Sequence, residues 1–347
     1  MVAIVDPLLC LQSAPPLFRI LMHSLHSLTI PLYGLSFYSL IMKTPKTLKI
    51  YKNYLLWHTF GNFAFEFYVS TLMLPMLYVP YPVFRCTGLL MYLNVSGLLQ
   101  LYFLMYLTVQ IGLSILEMFR YRFNAAMNEE TKTTIAVRIF FYMFYFLALA
   151  LPVLEIGALP RSVRHQEFYK EKLFEKFPNA SREILCHNTV ISPPIDEIVL
   201  FTTVVLIVLL CAVSSLIVLT TTTGIVRKLG EMKKSMSTRT LQMQKMLFVS
   251  IAVQGSIHLI MLLIPVFIFI FSIFSTLDNN LNGYFAILTI SFHGSLSTIA
   301  MIIFTKPVQD GVLYALRFIY KPKHARLRLQ SVASLSPKLT MTKIDNS

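Results

Sequence analysis

A carboxylate, a set of histidines and four cysteines are the residues of this chain whose types could do chemistry. Glu66 sits inside an apolar stretch, about 20 Å along a helix from its nearer charged flank at 1.5 Å per residue, deeper than a side chain relieves by snorkelling. An acid at that depth turns into a bundle or a water-filled cavity. It serves there in ion binding or switching, or stays protonated and bonded to a neighbouring helix. His258 and His293 lie in two later apolar stretches and read either as pH-sensitive, ligand-facing groups or as neutral rings bonded to backbone carbonyls. His23 and His26 share one helical face, but a metal site needs further ligands and none stands nearby, so no metal is expected. No nucleophile has a base or metal cluster beside it. The chain therefore reads as no enzyme and calls for no cofactor.

Among the cysteines, Cys211 falls in mid-stretch and reads as a small apolar residue. The expected disulfide joins Cys86 to Cys186, with Cys10 competing for either partner. Two glycosylation sequons occur. Asn179 is expected in an outer loop, whereas Asn94 falls inside an apolar run where it would not be reached.

The elements that must position these residues follow from composition. With 347 residues, 56% hydrophobic and 13% charged, the chain departs from soluble domains, whose charged share is about 25%. The 27 Phe and 17 Tyr exclude disorder. A net charge of +14 is spread over short segments between apolar runs, which reads as topology and not as nucleic-acid binding. Seven runs reach the roughly 20 residues needed to cross a bilayer: Phe18 to Met42, Tyr54 to Tyr78, Phe84 to Leu116, Ile135 to Ala158, Ile198 to Val226, Met246 to Leu277 and Tyr284 to Thr305. An all-α membrane bundle is predicted, with residues 1–17 as an outer tail carrying no removable signal peptide.

Four Lys or Arg follow the first run, four flank the junction of the third and fourth, six lie between Arg227 and Lys245, and eight follow from Lys306. By the positive-inside rule these segments are cytoplasmic and the N-terminus is outside. The segment Leu159 to Glu197 is expected as an outer loop whose six acids neutralise its six bases. Lys306-Pro307 interrupts the last run. From Val308 to Tyr320, Val312, Leu313, Leu316, Ile319 and Tyr320 predict a short amphipathic helix at 306–320 on the inner leaflet. A largely disordered basic tail is expected over 321–347.

Residue-level motifs narrow this layout. Thr44-Pro45-Lys46, Leu55-Leu56-Trp57-His58, the acid at Glu66 and the prolines Pro75 and Pro80 resemble the start of the nematode serpentine chemoreceptors of class H, seven-transmembrane G-protein-coupled receptor-like proteins. Thr240, Gln244, Gln254 and Pro265 resemble the start of their sixth helix, and Phe292-His293-Gly294-Ser295 with Ser297-Thr298 their seventh. The chain departs from the family at several points. Glu66 replaces the usual Asp, and His258 stands where a proline is normal. Pro307-Val308-Gln309 replaces Pro-Tyr-Arg, and two arginines, Arg120 and Arg122, follow Glu117. Class I of the same superfamily is the nearest competitor.

The resemblance implies a chemosensory receptor of the plasma membrane, in the sensory cilium of a neuron. Its partners would be a small-molecule ligand, a heterotrimeric G protein and the lipid bilayer, with no nucleic acid. On this reading the ligand meets Glu66, Tyr78, Met91, Tyr92, His258 and Phe271 in the outer half of the bundle. The coupling region is Glu117, Arg120, Arg227, Lys228, Lys233 and Lys234. The competing function is a transporter or channel with Glu66 on the conduction path, although seven spans without internal repeat argue against it.

Overall fold

The computed structural model describes residues 10, 12, 14–45, 48–78, 83–127, 131–178, 181–191, 198–234, 237–275 and 280–320. The chain is a bundle of long helices: α1 (Pro16–Tyr38), α2 (Lys49–Phe67), α3 (Gly97–Ala126), α4 (Lys132–Lys176), α5 (Ile198–Glu231), α6 (Thr238–Ser275) and α7 (Asn280–Phe304), followed by α8 (Lys306–Tyr320). Six of the first seven are long and apolar enough on their own to cross a membrane. The exception is α2, whose basic start and Glu66 lower its hydropathy. It buries one side, including Tyr51, Leu55, His58, Asn62, Phe65 and Glu66, against the others.

Local chemistry sets several helix ends. Pro16 occupies the first turn of α1, where a missing N–H costs nothing. Thr131 caps α4 by accepting from the Thr134 amide at 3.2 Å. α1 and α2 both finish in wide turns, Ser39–Lys43 and Tyr68–Met73. The second of these stops at Leu74, held left-handed at φ 40°, and Pro75 cannot extend it.

Here the structure departs from the expected spans. The second run does not continue helically to Tyr78, nor does the third begin at Phe84. Instead β1 (Pro75–Tyr78) pairs antiparallel with β2 (Val83–Cys86), and β3 (Thr189–Ile191) completes a sheet of order β1-β2-β3. After the single turn Leu89–Tyr92, Asn94 lies exposed at φ 54° ahead of α3, and not within the span as expected. Asn179 lies outside the described residues.

The expected loop from Leu159 to Glu197 is also corrected. α4 runs on for 45 residues in all, about 67 Å at 1.5 Å per residue against a hydrocarbon core near 30 Å. Its second half therefore stands clear of any span. Ser162, Gln166, Tyr169, Lys170 and Leu173 are buried at helical spacing there and explain the extension. Gln166 receives the Ile191 amide at 3.0 Å and donates back to the Ile191 carbonyl at 3.1 Å, in effect pairing the edge of β3. The Lys170 ammonium donates to the Cys186 carbonyl at 3.0 Å.

The sheet caps one end of the bundle, outer by the distribution of basic residues. Buried Arg85 on β2 forms an ion pair with Glu183 and donates to the Gln12 carbonyl at 3.0 Å, tying the N-terminal tail, the sheet and the 3₁₀ turn Arg182–Leu185 together. Gly283 on α7 lies so close to the Leu77 carbonyl that a Cβ would run into it, so glycine is what lets the sheet seat on α7.

The expected Cys86 to Cys186 disulfide is not formed. The bond joins Cys10 to Cys186, with Cα atoms 5.3 Å apart, and Cys86 is a buried free thiol. The reason is side-chain direction. Cys86 turns inward with Sγ 4.0 Å from the Gly97 carbonyl at the start of α3, while the Asn188 amide bridges the Cys86 and Cys10 carbonyls and holds the tail over Cys186.

At the opposite end, α7 stops at Phe304 and α8 starts afresh at Lys306. The Ser39 hydroxyl donates to the Val308 carbonyl at 2.7 Å, and the Lys43 ammonium sits 3.7 Å from the Tyr314 ring centroid. Val308, Val312 and Ala315 face the bundle while Leu313 and Tyr314 are exposed. Residues 321–347, expected to be disordered, lie outside the described residues.

Candidate functional site

Polar residues recur every three or four positions on the inward faces of α1, α2, α6 and α7, and the bundle brings them together. On α2 they are His58, Asn62 and Glu66, successive turns of one face. Glu66 is 3% exposed. Its carboxylate accepts from the Thr29 hydroxyl and the Tyr33 hydroxyl (2.9 Å) of α1 and from the Ser295 hydroxyl of α7. His26 Nδ1 lies 3.6 Å from Glu66 Oε1 and makes no hydrogen bond among the described residues. A crevice of about 10 Å³, room for about one water, opens beside this carboxylate between Met22, Ser70, Ser291 and Phe292.

One turn further in, Asn62 connects α2 to α6. Its Nδ2 lies 3.1 Å from His58 Nε2, and its Oδ1 lies 3.4 Å from His258 Nε2. The Ser114 hydroxyl donates to the Ile111 carbonyl at 2.7 Å, so it must accept from His58 Nδ1–H at 2.8 Å. That fixes the His58 tautomer and leaves its Nε2 as an acceptor for Asn62 and for the Ser297 hydroxyl at 3.1 Å.

The same reasoning produces one mismatch. His258 Nδ1 lies 2.9 Å from the Gln254 carbonyl and must donate to it. A neutral His258 then presents Nε2 as an acceptor to the acceptor Oδ1 of Asn62. Reversing the Asn62 amide only moves the conflict to His58. The rings of His258 and His293 are 4.8 Å apart, and those of His58 and His258 are 5.1 Å apart. Among the described residues no group of His, Cys, Asp or Glu is arranged to hold a metal. The chain of contacts continues through Gln254 and Ser250 to Thr305 at the end of α7.

At the inner end, the Arg120 guanidinium pairs with Glu117 at 2.6 Å, and Tyr145 of α4 donates to the other Glu117 oxygen. Arg122 points the other way and is buried. It stacks 4.0 Å from the Tyr51 centroid on α2 and donates to Gln244 of α6 at 3.2 Å. The two arginines thus serve different helix pairs, Arg120 between α3 and α4 and Arg122 between α2, α3 and α6.

Of the five expected ligand residues whose side chains are described, the structure gathers two, Glu66 and His258. Tyr78 lies in β1 and donates to Glu183 at 2.6 Å. Burial and the Glu183 bond push its phenol well above the usual range. Met91 is fully buried, Tyr92 is 58% exposed, and the Phe271 side chain lies outside the described residues. Of the expected coupling residues, Arg227 and Lys233 are exposed and Lys228 pairs with Glu231 at 3.2 Å. Lys234 ends a 3₁₀ turn after α5, its side chain outside the described residues. Thr29, Tyr33, Asn62 and Ser114 were missed, although the four-residue spacing of His58, Asn62 and Glu66 was a readable sign.

Comparison with known proteins gives one match, to the family described as serpentine type 7TM GPCR chemoreceptor Srh, over residues 13–318. No curated protein and no solved structure matches. The match spans nearly the whole bundle, so the chain belongs to the Srh family of serpentine seven-transmembrane chemoreceptors, a multi-pass membrane protein of receptor type.

Proposed function

We propose that this chain is a chemosensory receptor that takes up a small molecule in the outer half of the bundle and signals to a heterotrimeric G protein from the plasma membrane of a sensory cilium. The observation that carries the reading is the buried polar face of α2, with Glu66 one turn outward of Asn62, and the line of contacts that runs from Asn62 through His258, Gln254 and Ser250 to Thr305 near the inner ends of α6 and α7. A ligand biases such a bundle only through different affinities for two packings. Glu66 and His258 are the residues best placed to sense it, because both belong to the network that any repacking of α2 against α6 must rearrange. Glu117, Arg120, and the exposed bases Arg227 and Lys233, with their neighbours Lys228 and Lys234, form the coupling face at the other end.

The test is a screen of small molecules against cells expressing the full chain, followed by nucleotide exchange on G protein with purified receptor. Ligand-dependent exchange that Glu66→Gln and His258→Gln alter is expected. Ligand-dependent solute flux in proteoliposomes without exchange would refute the reading and favour a transporter.

A further inference from the structure

The carboxylate of Glu66 is met by three hydroxyls, and no lysine or arginine pairs with it among the described residues. The outer stretches that lie outside those residues, 1–9, 79–82, 179–180, 192–197 and 276–279, contain no Lys or Arg. Arg19 on α1, seven residues ahead of His26, does not line the crevice beside the carboxylate. A buried charge met only by neutral donors is left partly uncompensated.

The same crevice holds a second unmet group. His26 is 6% exposed, its ring packs beside Phe63 and Phe67, and its Nδ1 has no hydrogen bond among the described residues. With its proton on Nε2, neutral His26 presents Nδ1 as an acceptor. Nδ1 and Glu66 Oε1 stand 3.6 Å apart, too far to bond each other. One donor centre about 2.9 Å from each bonds both. Ser291 also lines the crevice and adds a third acceptor, since its hydroxyl proton goes to the Ile287 carbonyl at 2.8 Å and leaves its oxygen free to accept. The space beside them is about 10 Å³, and Met22, Leu25 and Phe292 supply its apolar wall. Three acceptors around room for one heavy atom, one of them a charge without a cation, match a group with three N–H donors and a positive charge.

We propose that this crevice takes the ammonium head of a small primary aliphatic amine, whose alkyl stem lies along Met22, Leu25 and Phe292. Such an amine is protonated at neutral pH, as the lysine side chain is. Its three N–H groups go to Glu66 Oε1, His26 Nδ1 and the Ser291 hydroxyl oxygen. The proposal names the ligand class of the Glu66 site and rests on the reading of the outer half of the bundle as the place where a small molecule is taken up. An alcohol of the same shape brings one donor and no charge. A quaternary ammonium brings the charge without a donor and is too large for the space.

The full chain is placed in phosphatidylcholine nanodiscs, and n-butylamine is titrated at neutral pH by ligand-observed NMR. It should bind more tightly than 1-butanol and than butyltrimethylammonium by about tenfold or more, the worth of one buried charge-assisted bond. Glu66→Gln, which keeps the shape, should weaken the amine by about the same factor. His26→Phe and Ser291→Ala, each removing one acceptor, should weaken it by about threefold to tenfold. Equal binding of amine and alcohol by the native chain would overturn the proposal whatever the variants do. So would equal binding of the quaternary ion, the sign of a diffuse acidic surface, or indifference to Glu66→Gln. Displacement of the amine by sodium at equal concentration would show a site for bare cations, and the proposal fails. No amine binding, with a molecule of another class driving nucleotide exchange, would sink the amine site and keep the receptor reading. Amine binding without exchange would uphold the site and count against the receptor.

Discussion

Replacing Glu66 separates two accounts of why a carboxylate is buried there: as a hydrogen-bond acceptor, or as a charge. Glu66→Gln keeps the shape. Thr29 lies 2.9 Å from the His26 carbonyl as well as against Glu66, so its proton can go to His26 while its oxygen accepts from the new amide. The remaining amide oxygen still accepts from Tyr33 and Ser295. Two charge-assisted bonds become neutral ones, a loss of about 1 kcal/mol each, offset by no longer burying a charge. The net cost should stay near 1 kcal/mol. Glu66→Leu leaves the Tyr33 and Ser295 hydroxyls without their acceptor at about 1–3 kcal/mol each. Ser295 recovers part by bonding back within α7, so the cost should be about 2–4 kcal/mol. Thermal unfolding of the purified receptor in nanodiscs reads this directly, at about 2–4 °C per kcal/mol. Equal losses for Gln and Leu would refute the acceptor account, and a Gln variant much worse than Leu would make the charge itself the stabilising element.

Cys10→Ser should lower the unfolding temperature by several degrees, since the bond closes 176 residues of chain and loops of that order contribute up to about 5 kcal/mol by chain entropy. Cys86→Ser should shift it by far less, and peptide mapping should recover Cys10 linked to Cys186. In a Cys211→Ser background, N-ethylmaleimide at neutral pH should label Cys86 only after unfolding, because burial excludes the reagent and pushes the thiol from 9.0 to about 12. By the same shift, burial of the neutral thiol stabilises the fold below pH 9, and that contribution is lost progressively as the pH rises toward 12. Rapid native labelling at pH 7 would contradict the inward placement. Gly311→Ala should cost about 1–3 kcal/mol and speed amide exchange in α8, since the added methyl meets the Ser39 hydroxyl and Lys43 Cβ. Arg122→Met should leave the unfolding temperature within a few degrees, because Nε and Nη2 of this buried guanidinium have no hydrogen-bond partner among the described residues and its burial roughly cancels its contacts. A large loss would show the Tyr51 stack and Gln244 bond to be worth more than that.

The seven apolar runs were legible because each exceeds the length of a bilayer crossing, and the basic segments between them follow a simple electrostatic rule. The sheet was not. Pro75-Met76-Leu77-Tyr78 and Val83-Phe84-Arg85-Cys86 are as apolar as the helices they adjoin, so hydropathy fused them to the second and third spans. Only the positive φ of Leu74 and the pairing with β3, more than a hundred residues away, separate them. The outer half of α4 was hidden for the opposite reason. Most of its exposed positions are charged, and the fall in hydropathy after Ala158 looks like the end of a helix, although Gln166, Tyr169, Lys170 and Leu173 keep helical spacing. The disulfide depends on where the N-terminal tail is carried by Arg85 and Asn188, which no spacing of cysteines encodes. At the site, Glu66 stood out as a single costly residue, whereas its partners are hydroxyls and amides that look unremarkable until their period is counted along each helix.

Constraint is unevenly spread along the bundle. At the outer end a covalent bond, a three-stranded sheet, the Arg85–Glu183 pair and the Gln166 bridge tie α4, the tail and α7 together. At the inner end α2, α3 and α6 meet at Arg122 through its stack on Tyr51 and its bond to Gln244, with part of the guanidinium unbonded among the described residues. Between them lies the acceptor-to-acceptor contact of Asn62 with His258, which forgoes a hydrogen bond worth about 1 kcal/mol that another packing of α2 on α6 is free to make. A structure with a fixed top, a mismatched middle and a lightly held base yields first at the base. On the proposed reading, a change in the hydrogen bonds of Asn62 should therefore shift α6 against Arg122 while the sheet above stays in place.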